Sequence, residues 1–409
     1  MGDLQESGFK QRTRVSEARD RLLDVDPIER TERLSIARAD GRTLAEPVDA
    51  QFDIPHYPRA AMDGWAVRAE DTFGASDRSP AVLRAAEEGG PDAAVRVHTG
   101  SELPDRTNAV VMIEETEQLG EEIEVFDAVG EGENVGPVGE DVEAGQRLYE
   151  PGHQLRPSDL GLLKGTNVDV VETVARPTVA IVPTGEELVQ SDPEPGEIIE
   201  TNRMTVSRMA ERWGANVTRR EIVTDDHEAL RAAVERDLTK DVVVTTGGSS
   251  VGERDLIPEV VDELGEVFVH GVALRPGHPV ALGRVNETTV VMLPGYPVAA
   301  IVNAVTFLRP LVKHLGRMPE KPLPRREATL TRKIRSEPGV RTYARVKLDH
   351  DGDETTEETD LPEATPTRAS GSGILSSVAL ADGWVVVPEK KEGLAAGETV
   401  SVQDWEYHV

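Results

Sequence analysis

The stretch DVVVTTGGSSVGERD, residues Asp241–Asp255, decides how the centre of this chain folds. Its valines and threonines predict a buried strand, and glycines 247, 248 and 252 predict a loop where that strand ends. Free N–H groups in a glycine-rich loop favour anions, although the same residues also suit a tight structural turn. The loop has neither the lysine of a Walker A motif nor the spacing of GxGxxG. Alone, it predicts an anion cradle about as readily as a turn.

Helix and strand patterns alternate on both sides of this loop. Strands are predicted at Thr178–Pro183, Asn216–Val223, Val242–Val244, Pro279–Leu282 and Thr288–Leu293. Helices are predicted at Asn202–Ala215, Asp226–Lys240, Asp255–Leu264 and Val298–Leu315. The alternation indicates a central, doubly wound, mostly parallel α/β sheet with helices on both faces. Ligands of such sheets lie beyond the carboxyl ends of the strands, where residues 245–252 and the segment PTGEEL (183–188) both fall.

The flanking segments have a different pattern. Residues 40–176 and the last part of the chain, after the linker Pro319–Arg326, contain short β-like runs separated by glycines and prolines. A helix is predicted at Val15–Leu23. With 409 residues, the chain is expected to form several domains, and those that flank the α/β sheet are expected to be β-rich.

The chain is strongly acidic, with 45 basic and 75 acidic residues and a net charge of −30. Such a surface repels nucleic acid, which needs a basic footprint. Only nine of the basic residues are lysines. An acidic, lysine-poor surface suits a salt-rich cytoplasm, so we hypothesise a halophilic source; the alternative is an ordinary solvated surface.

The absence of cysteine excludes disulfides, thiolate zinc sites and cysteine nucleophiles. No apolar run is expected to reach the ~20 residues that span a bilayer, and the N-terminal residues lack the apolar core of a secretory signal. We therefore expect a cytoplasmic protein without a membrane partner.

Carboxylates stand at several of the predicted strand ends. Glu187 follows the first strand, Asp225 and Asp226 follow the second, and Asp255 follows the glycine loop. Acids beside an anion cradle predict a divalent cation, usually Mg²⁺, that bridges them to phosphate. The alternative is that Asp226 and Asp255, which precede helices, only cap them.

Two Pro-Gly-x-Pro turns follow later, in LRPGHPVALG (274–283) and LPGYPVAA (293–300). Rigid turns of this kind need have no function. Arg275 and His278 flank the first turn and could bind an oxyanion, although a lone histidine is usually structural. In HYPRAAMDGWAVR (56–68), Asp63 and Gly64 predict a turn, and periodicity indicates no function.

Five motifs together resemble the molybdopterin molybdenumtransferase family, which includes the C-terminal part of gephyrin. They are AAMDGWAV (60–67), VHTGSELP (97–104), VPTGEEL (182–188), TTGGSSVGERD (245–255) and LPGYPVAA (293–300). The motifs are colinear with the family and cover nearly the whole chain. The resemblance implies four domains: residues 1–50 with 141–176, residues 51–140, a molybdopterin-binding-like domain at 177–320, and a β-barrel-like domain at 321–409. It also implies a homodimer in which the motif around Asp63 of one subunit faces the glycine loop of the other.

The family's reaction inserts molybdate into adenylylated molybdopterin and releases AMP with Mg²⁺, downstream of a molybdopterin adenylyltransferase. The resemblance implies catalytic roles for Asp63, Glu187, Asp226 and Asp255, the last three also as metal ligands. It implies that molybdopterin and its phosphate contact Thr99, Thr184, Gly185, Asn202, Arg203, Gly247, Gly248, Ser249, Ser250, Gly252, Pro294 and Pro297. It implies that molybdate contacts Arg275, His278, Arg345 and Ser376.

The chain departs from the family's common pattern mainly at the implied oxyanion site. Arg275 and His278 stand where two lysines are frequent, and His278 is charged only below its pKa. Tyr296 replaces a common asparagine, Ala299 a frequent serine, and Gly136 a usual arginine. The sequence leaves the choice between molybdate and tungstate open, and also which acid binds Mg²⁺ and which positions water.

Two other functions would use parts of the same sequence. A non-catalytic molybdopterin-binding or scaffold protein would resemble gephyrin, but this chain has neither a fused adenylylating domain nor a long central linker. An adenylyltransferase or pyrophosphatase would need only the α/β domain and would leave the motif around Asp63 without a use.

Overall fold

The computed structural model describes residues 12–247, 256–349, 361–367 and 372–407. The chain divides into two compact units, Thr31–Thr173 and the combination of Met1–Arg30 with Val174–Val409. The first helix, α1 (Val15–Leu22), buries Val15, Ala18 and Leu22 on one face. This confirms the helix predicted there, which ends one residue earlier. The four-domain division stays a prediction.

The unit Thr31–Thr173 is built mainly from short strands, as predicted for this part of the chain. Its elements are β1 (Thr31–Ser35), β2 (Val48–Asp49), β3 (Arg59–Ala60), β4 (Gly64–Val67), β5 (Ala81–Ala86), β6 (Ala93–Val97), β7 (Ala109–Met112), β8 (Thr116–Leu119), β9 (Glu122–Val125), β10 (Val135–Gly136), β11 (Arg147–Tyr149), α2 (Pro157–Gly165) and β12 (Val170–Val174). Six strands form a sheet in the order β7-β4-β6-β5-β9-β8, in which only β5 and β6 run parallel. Trp65, Leu83 and Ile123 lie in its core.

The second unit contains the predicted α/β sheet. Its elements are β13 (Thr178–Pro183), β14 (Leu188–Val189), β15 (Ile198–Ile199), α3 (Asn202–Arg212), β16 (Asn216–Arg219), α4 (His227–Arg236), β17 (Val242–Thr246), α5 (Leu256–Leu264), β18 (Glu266–His270), β19 (Leu274–Arg275), β20 (Ala281–Val285) and β21 (Thr288–Leu293). The strand order is β16-β13-β17-β21-β20-β18. The first four strands are parallel, and β20 runs antiparallel to both of its neighbours, β21 and β18, which confirms a mostly parallel sheet. Strand β18 was not predicted.

The central strands are valine-rich and buried on both faces, as parallel strands covered by helices must be. Every residue of β17 and β21 is buried. Helix α4 packs against α5, and both bury apolar side chains such as Leu230 and Val260 against the sheet. Helix α3 packs against the helix that begins at Pro297.

One long helix follows the sheet. It consists of α6 (Pro297–Asn303), a π-helical turn (Ala304–Leu308) and α7 (Arg309–Leu315). Pro310, the second residue of α7, has no N–H to donate, which accounts for the irregular turn before it. In the described part of the chain, Pro297–Leu315 is the helix whose length and mean hydropathy would suffice to cross a membrane, but 94% of its apolar window is buried within the protein. The expectation that no apolar run approaches that length is therefore wrong; the run is a core helix.

The C-terminal part forms a further sheet. Its elements are β22 (Arg325–Leu330), β23 (Ile334–Arg335), β24 (Arg341–Asp349), β25 (Glu363–Pro366), α8 (Ser376–Ala379), β26 (Gly383–Val387), β27 (Gly393–Leu394) and β28 (Thr399–Gln403). The order is β19-β24-β25-β22-β28-β26, and β24 also pairs with β26, which closes five strands into a ring. The core of this ring includes Leu330, Val346 and Val402.

Candidate active site

The carboxyl ends of three parallel strands meet at one point. The Thr184 N–H, just after β13, donates to the Thr246 carbonyl at the end of β17 (3.0 Å). The Gly247 N–H donates to the carbonyl of Leu293 at the end of β21 (3.2 Å). A Cβ built on Gly295 would lie 3.3 Å from the Gly247 Cα. The predicted site residues Thr184 and Gly247 are therefore adjacent. Pro294 lies close to them because its chain neighbour Gly295 approaches Gly247.

Glycine is required at position 247. Its φ is +138°, a conformation that residues with a Cβ rarely adopt, and a Cβ there would lie 1.8 Å from the Thr184 carbonyl oxygen. Gly185 is similar, since its φ is +146° and its Cβ would lie 2.7 Å from Glu187 Oε2. The backbone thus closes tightly around the strand ends and brings the Glu187 carboxylate over Gly185.

Three buried threonines lie at the ends of β13 and β17, beside this junction. Among the described residues, no hydrogen-bond partner is present for Oγ1 of Thr184, Thr245 or Thr246, and each of these residues is at most 1% exposed. A buried hydroxyl without a partner is costly, so such groups normally meet a ligand or water. Their concentration at one junction indicates a polar ligand there.

Asp225 is a partly buried acid in the loop between β16 and α4. Val223, two residues earlier, forms a parallel bridge with Thr184. Burial, then the charges of Glu187 and Glu186, raises the pKa of Asp225, and a backbone hydrogen bond from Glu186 offsets part of this. Its Oδ1 has no hydrogen-bond partner among the described residues. Asp225, Glu186 and Glu187 therefore repel one another, and a bound cation would relieve this repulsion.

Asp226, for which the resemblance implies a metal role, caps a helix. Its Oδ1 accepts a hydrogen bond from the Ala229 N–H (3.0 Å) at the start of α4, and its side chain is exposed. The alternative role as a helix cap is confirmed for Asp226. A further role as a metal ligand stays a prediction. Asp225 is among the strand-end acids that predict a cation, but two adjacent acids give no sequence signal for which one faces the junction.

The remaining predicted ligands of the glycine loop cannot be placed. Gly248, Ser249, Ser250, Gly252 and Asp255 lie outside the described residues. Within the described residues, no three His, Asp or Glu side chains form a group that could hold a metal ion alone. An ion here would depend on ligand oxygens or on the remaining loop, which fits Mg²⁺ because it usually binds one or two carboxylates together with substrate phosphates.

Asn202 and Arg203 are engaged within the protein. The Asn202 side-chain amide donates to the Gly295 carbonyl (2.7 Å) and so fixes the Pro-Gly turn at the junction. The Arg203 guanidinium donates to the carbonyl of Arg220 (2.8 Å) and to Gln190 Oε1 (2.7 Å). Both residues hold the loops around the junction in place.

The second Pro-Gly turn opens α6 with Pro297 at its first position. The preceding Tyr296 is 45% exposed, and a Cβ on Gly373 would lie 3.3 Å from its ring. The Val298 N–H donates to the Ser372 carbonyl (3.1 Å). The departure at Tyr296 thus places an exposed aromatic ring between the turn and the C-terminal segment.

The predicted oxyanion residues fall into two groups. The Arg275–Pro276 peptide bond is cis, and the Arg275 side chain forms an ion pair with Glu337 (2.9 Å). Burial, then the charges of Arg12 and Arg275, lowers the pKa of His278. The imidazole is therefore neutral at neutral pH in the absence of an anion.

Arg345 lies in the other group. It is 8% exposed, burial lowers its pKa, and its guanidinium donates to Ser377 Oγ (3.3 Å). The described contact is with Ser377, the neighbour of the predicted Ser376. Arg275 pairs with Thr342 across β19 and β24, three residues before Arg345, so the two groups lie on neighbouring strands.

In the unit Thr31–Thr173, Asp63 and Thr99 are in direct contact. Asp63 Oδ1 accepts hydrogen bonds from the Thr99 N–H (2.7 Å) and the Thr99 hydroxyl (2.9 Å). These bonds, with weaker contributions from His98 and Arg96, lower the pKa of Asp63. The exposed carboxylate is thus held ionised and in a fixed orientation.

Comparisons with known proteins cover the whole described site. The model of the MoeA N-terminal region, domains I and II, matches residues 13–166. The model of a molybdopterin-binding domain matches residues 180–314, and that of the MoeA C-terminal region, domain IV, matches residues 327–405. A molybdopterin biosynthesis protein of Methanocaldococcus jannaschii is 35% identical over 393 residues, which are 92% of this chain and 93% of that protein. The chain belongs to the molybdopterin molybdenumtransferase family.

Other members agree in sequence and structure. The molybdopterin molybdenumtransferase 2 of Mycobacterium tuberculosis is 31% identical, over 90% of this chain and 94% of the relative. A crystal structure of the molybdopterin biosynthesis MoeA protein of Pyrococcus horikoshii superposes with a TM-score of 0.82 at 32% identity, over 97% of this chain and 99% of the other. This molybdenumtransferase-family chain is thus an enzyme of molybdenum cofactor biosynthesis with an α/β molybdopterin-binding domain and β-rich flanking parts, as the sequence predicted.

Proposed function

We propose that the protein inserts molybdate or tungstate into adenylylated molybdopterin and releases AMP in a Mg²⁺-dependent reaction. The observation that carries this proposal is the strand-end junction of Thr184, Gly247 and Gly295, where buried hydroxyls without partners lie beside the acids Asp225 and Glu187. Hydroxyl and N–H donors suit a phosphate, whereas the acids suit a cation that bridges to it.

The pterin's phosphate end would bind at Gly247. The absence of a side chain there allows the ligand to approach the backbone, and the Thr184 hydroxyl, which lies beside position 247, would donate to it or to ordered water. The predicted loop residues Gly248–Ser250 and Gly252 would extend this cradle.

Asp225 and Glu187 would hold Mg²⁺, together with Asp255 as first predicted. When bound, the ion neutralises charge at the phosphoanhydride, as is usual in phosphoryl chemistry. We assign Asp225 this role ahead of Asp226 because the Asp225 carboxylate is repelled by its acidic neighbours, whereas that of Asp226 is occupied with a helix N-terminus.

The substrate oxyanion would bind near Arg275 and Arg345, with a hydroxyl from Ser376 or Ser377. Arginine is a competent ligand for tetrahedral oxyanions. His278, neutral before binding, would contribute a hydrogen bond, and the arriving dianion would raise the pKa of its ring. Molybdate and tungstate share shape and charge, so this site does not select between them.

The active enzyme would be a homodimer in which Asp63 and Thr99 complete the partner's cleft. Co-expression of the Asp63→Asn and Asp225→Asn variants tests this. Each homodimer would be inactive because both of its clefts lack one of the two acids. A mixed dimer would keep one intact cleft, with Asp225 from one subunit and Asp63 from the other. About a quarter of wild-type activity is expected, since about half of random dimers are mixed. No recovery in demonstrably mixed dimers would contradict the shared cleft.

We further propose a cytoplasmic, salt-adapted enzyme that receives its substrate from a molybdopterin adenylyltransferase. The deciding experiment is AMP release from adenylylated molybdopterin in high-KCl buffer with Mg²⁺, run with molybdate, with tungstate and with neither. Release that requires an oxyanion supports the transferase and ranks the two metals. Tight pterin binding without AMP release would favour the binding or scaffold role instead, and AMP transfer from ATP would favour an adenylyltransferase.

A further inference from the structure

A cation-lined cavity of about 350 Å³ lies between α1, α7 and the C-terminal sheet. Its lining includes five cations: Arg19, Arg309, Lys321, Arg325 and Arg341. One acid, Glu320, belongs to the same lining. This concentration of positive charge contrasts with the net charge of −30 of the whole chain.

The available acids neutralise only part of this charge. Glu320 is shared between Arg19 (2.7 Å) and Arg309 (3.4 Å), and Glu389 pairs with Arg341 (2.9 Å). The ion pairs among the described residues include neither Lys321 nor Arg325. Arg309 is 5% exposed, and its guanidinium is oriented by a bond to the Lys321 carbonyl (2.6 Å).

Lys313 adds a buried charge one helical turn beyond Arg309. It is 6% exposed, and no hydrogen bond or ion pair among the described residues includes its ammonium group. Burial, then the charges of Arg309 and Lys321, lowers its pKa to about 8. The charge of Glu320 offsets part of this effect, but Glu320 is shared with Arg19 and Arg309, so the buried ammonium is only partly balanced, which is costly.

The lining also includes Tyr343 and Trp384, whose rings meet edge to face at 5.1 Å between centroids. The volume falls within the ~300–1,000 Å³ usual for small-molecule sites. An anion larger than a bare ion would therefore fit, with its charged part toward the arginines and any organic part toward the rings.

We propose that this cavity binds a multivalent anion of the phosphate class, held by Arg19, Arg309 and Lys321 with Lys313 behind them. Guanidinium groups bind phosphate oxygens in pairs, and a single negative charge would leave most of the cations unbalanced. The site is separate from the strand-end junction and does not depend on the proposed reaction. Its ligand is either inorganic phosphate or a phosphate monoester.

Calorimetric titration of the full-length protein at constant ionic strength tests this, with inorganic phosphate in one arm and AMP in the other. One saturable site per chain is expected in at least one arm, and the stronger arm identifies the source. Arg309→Gln and Lys321→Met should each weaken that binding about tenfold or more, because each removes a cation that lines the cavity and so a charge-assisted contact. Arg208→Gln and Lys391→Met, which alter exposed ion pairs elsewhere, are the matched controls.

Binding that survives unchanged in both cavity variants would belong to another site and would overturn the proposal, as would the absence of saturable binding in both arms. A melting curve for each variant checks folding. If Arg309→Gln does not fold, Lys321→Met decides alone, since the described hydrogen bond of Lys321 to Arg309 uses its backbone carbonyl and not its side chain.

Discussion

Thr99 holds the carboxylate of Asp63 through two hydrogen bonds to the same oxygen, one from its backbone N–H and one from its hydroxyl. The backbone bond is the larger cause of the lowered pKa of Asp63 and the hydroxyl bond the second. Thr99 is therefore a positioning residue that fixes both the charge and the direction of this acid.

Thr99→Val should raise the pKa of Asp63 while leaving it below its ordinary value, because the hydroxyl donor is lost and the backbone donor stays. Titration of carboxyl-labelled aspartate by NMR measures this. Thr99→Ser keeps the donor and should match the wild type, and Thr107→Val, whose hydroxyl donates elsewhere, is the control. An unchanged Asp63 pKa in Thr99→Val would refute the positioning role.

Asp225→Asn should stabilise the protein while lowering AMP release at least about a hundredfold. Because the folded state raises the pKa of Asp225 above 3.8, stability falls as the pH rises from the unfolded to the folded pKa and stays reduced above it. At neutral pH the asparagine variant escapes this cost. Melting temperature and AMP release at pH 7 are the two measurements.

Asp226→Asn is the matched control for this experiment. Asparagine caps helices about as well as aspartate, so stability and activity should both stay close to wild type. If the Asp226 variant lost activity and the Asp225 variant kept it, the assignment of the two acids would be reversed.

Gly247→Ala should destabilise the protein and weaken molybdopterin binding. The positive φ alone costs about 1–3 kcal/mol for a residue with a side chain, and the new methyl group would collide with the Thr184 carbonyl. Urea unfolding measures the first effect and pterin titration the second. Gly90→Ala, where a Cβ meets nothing within 4 Å, should change neither. Wild-type stability in Gly247→Ala would mean that the junction is looser than described.

Sequence patterns predicted the α/β sheet well because its strands are local and valine-rich. β13 ends where predicted, at Pro183 shortly before Gly185, and β21 ends where predicted because Pro294 and Gly295 follow it directly. Strand β18 was missed because it follows α5 after a single glycine and only one of its five residues, Val269, is fully buried. The ring closure of β24 on β26 depends on pairing between distant segments, which local periodicity does not encode.

The site was predicted in part for the same reason. Motif spacing placed Thr184, Gly247 and the Pro-Gly turn together, because strand ends of a parallel sheet share one edge. It could not decide between Asp225 and Asp226, since that depends on the bridge of Val223 to Thr184. Sequence patterns did not predict the cation-lined cavity. Arg19 and Arg309 are distant in sequence, and both form ion pairs with Glu320 only in the folded chain.

Molar KCl should stabilise the protein. The acidic excess repels itself at low salt, and screening to within ~3 Å at 1 M removes most of that repulsion. Thermal unfolding between about 0.1 M and about 2 M KCl measures the effect. A neutral osmolyte at equal osmotic strength is the control, since it leaves the charges unscreened. A melting temperature that does not rise with KCl would contradict salt adaptation.

Lys313→Met should stabilise the phosphate-free protein, by an amount that depends on pH. The folded state lowers the pKa of Lys313 from 10.5 to about 8, so below pH 8 the folded protein bears the full cost of a buried ammonium. Between about pH 8 and 10.5 the unfolded chain binds more protons, and wild-type stability recovers as the pH rises. The variant should therefore gain about 1–3 kcal/mol at pH 7 and nothing near pH 10.5. Urea unfolding across this range measures the difference, with Lys391→Met, at an exposed ion pair, as the control. A variant less stable than wild type at pH 7 would show that the Lys313 charge is already compensated, leaving no need for an anion in the cavity.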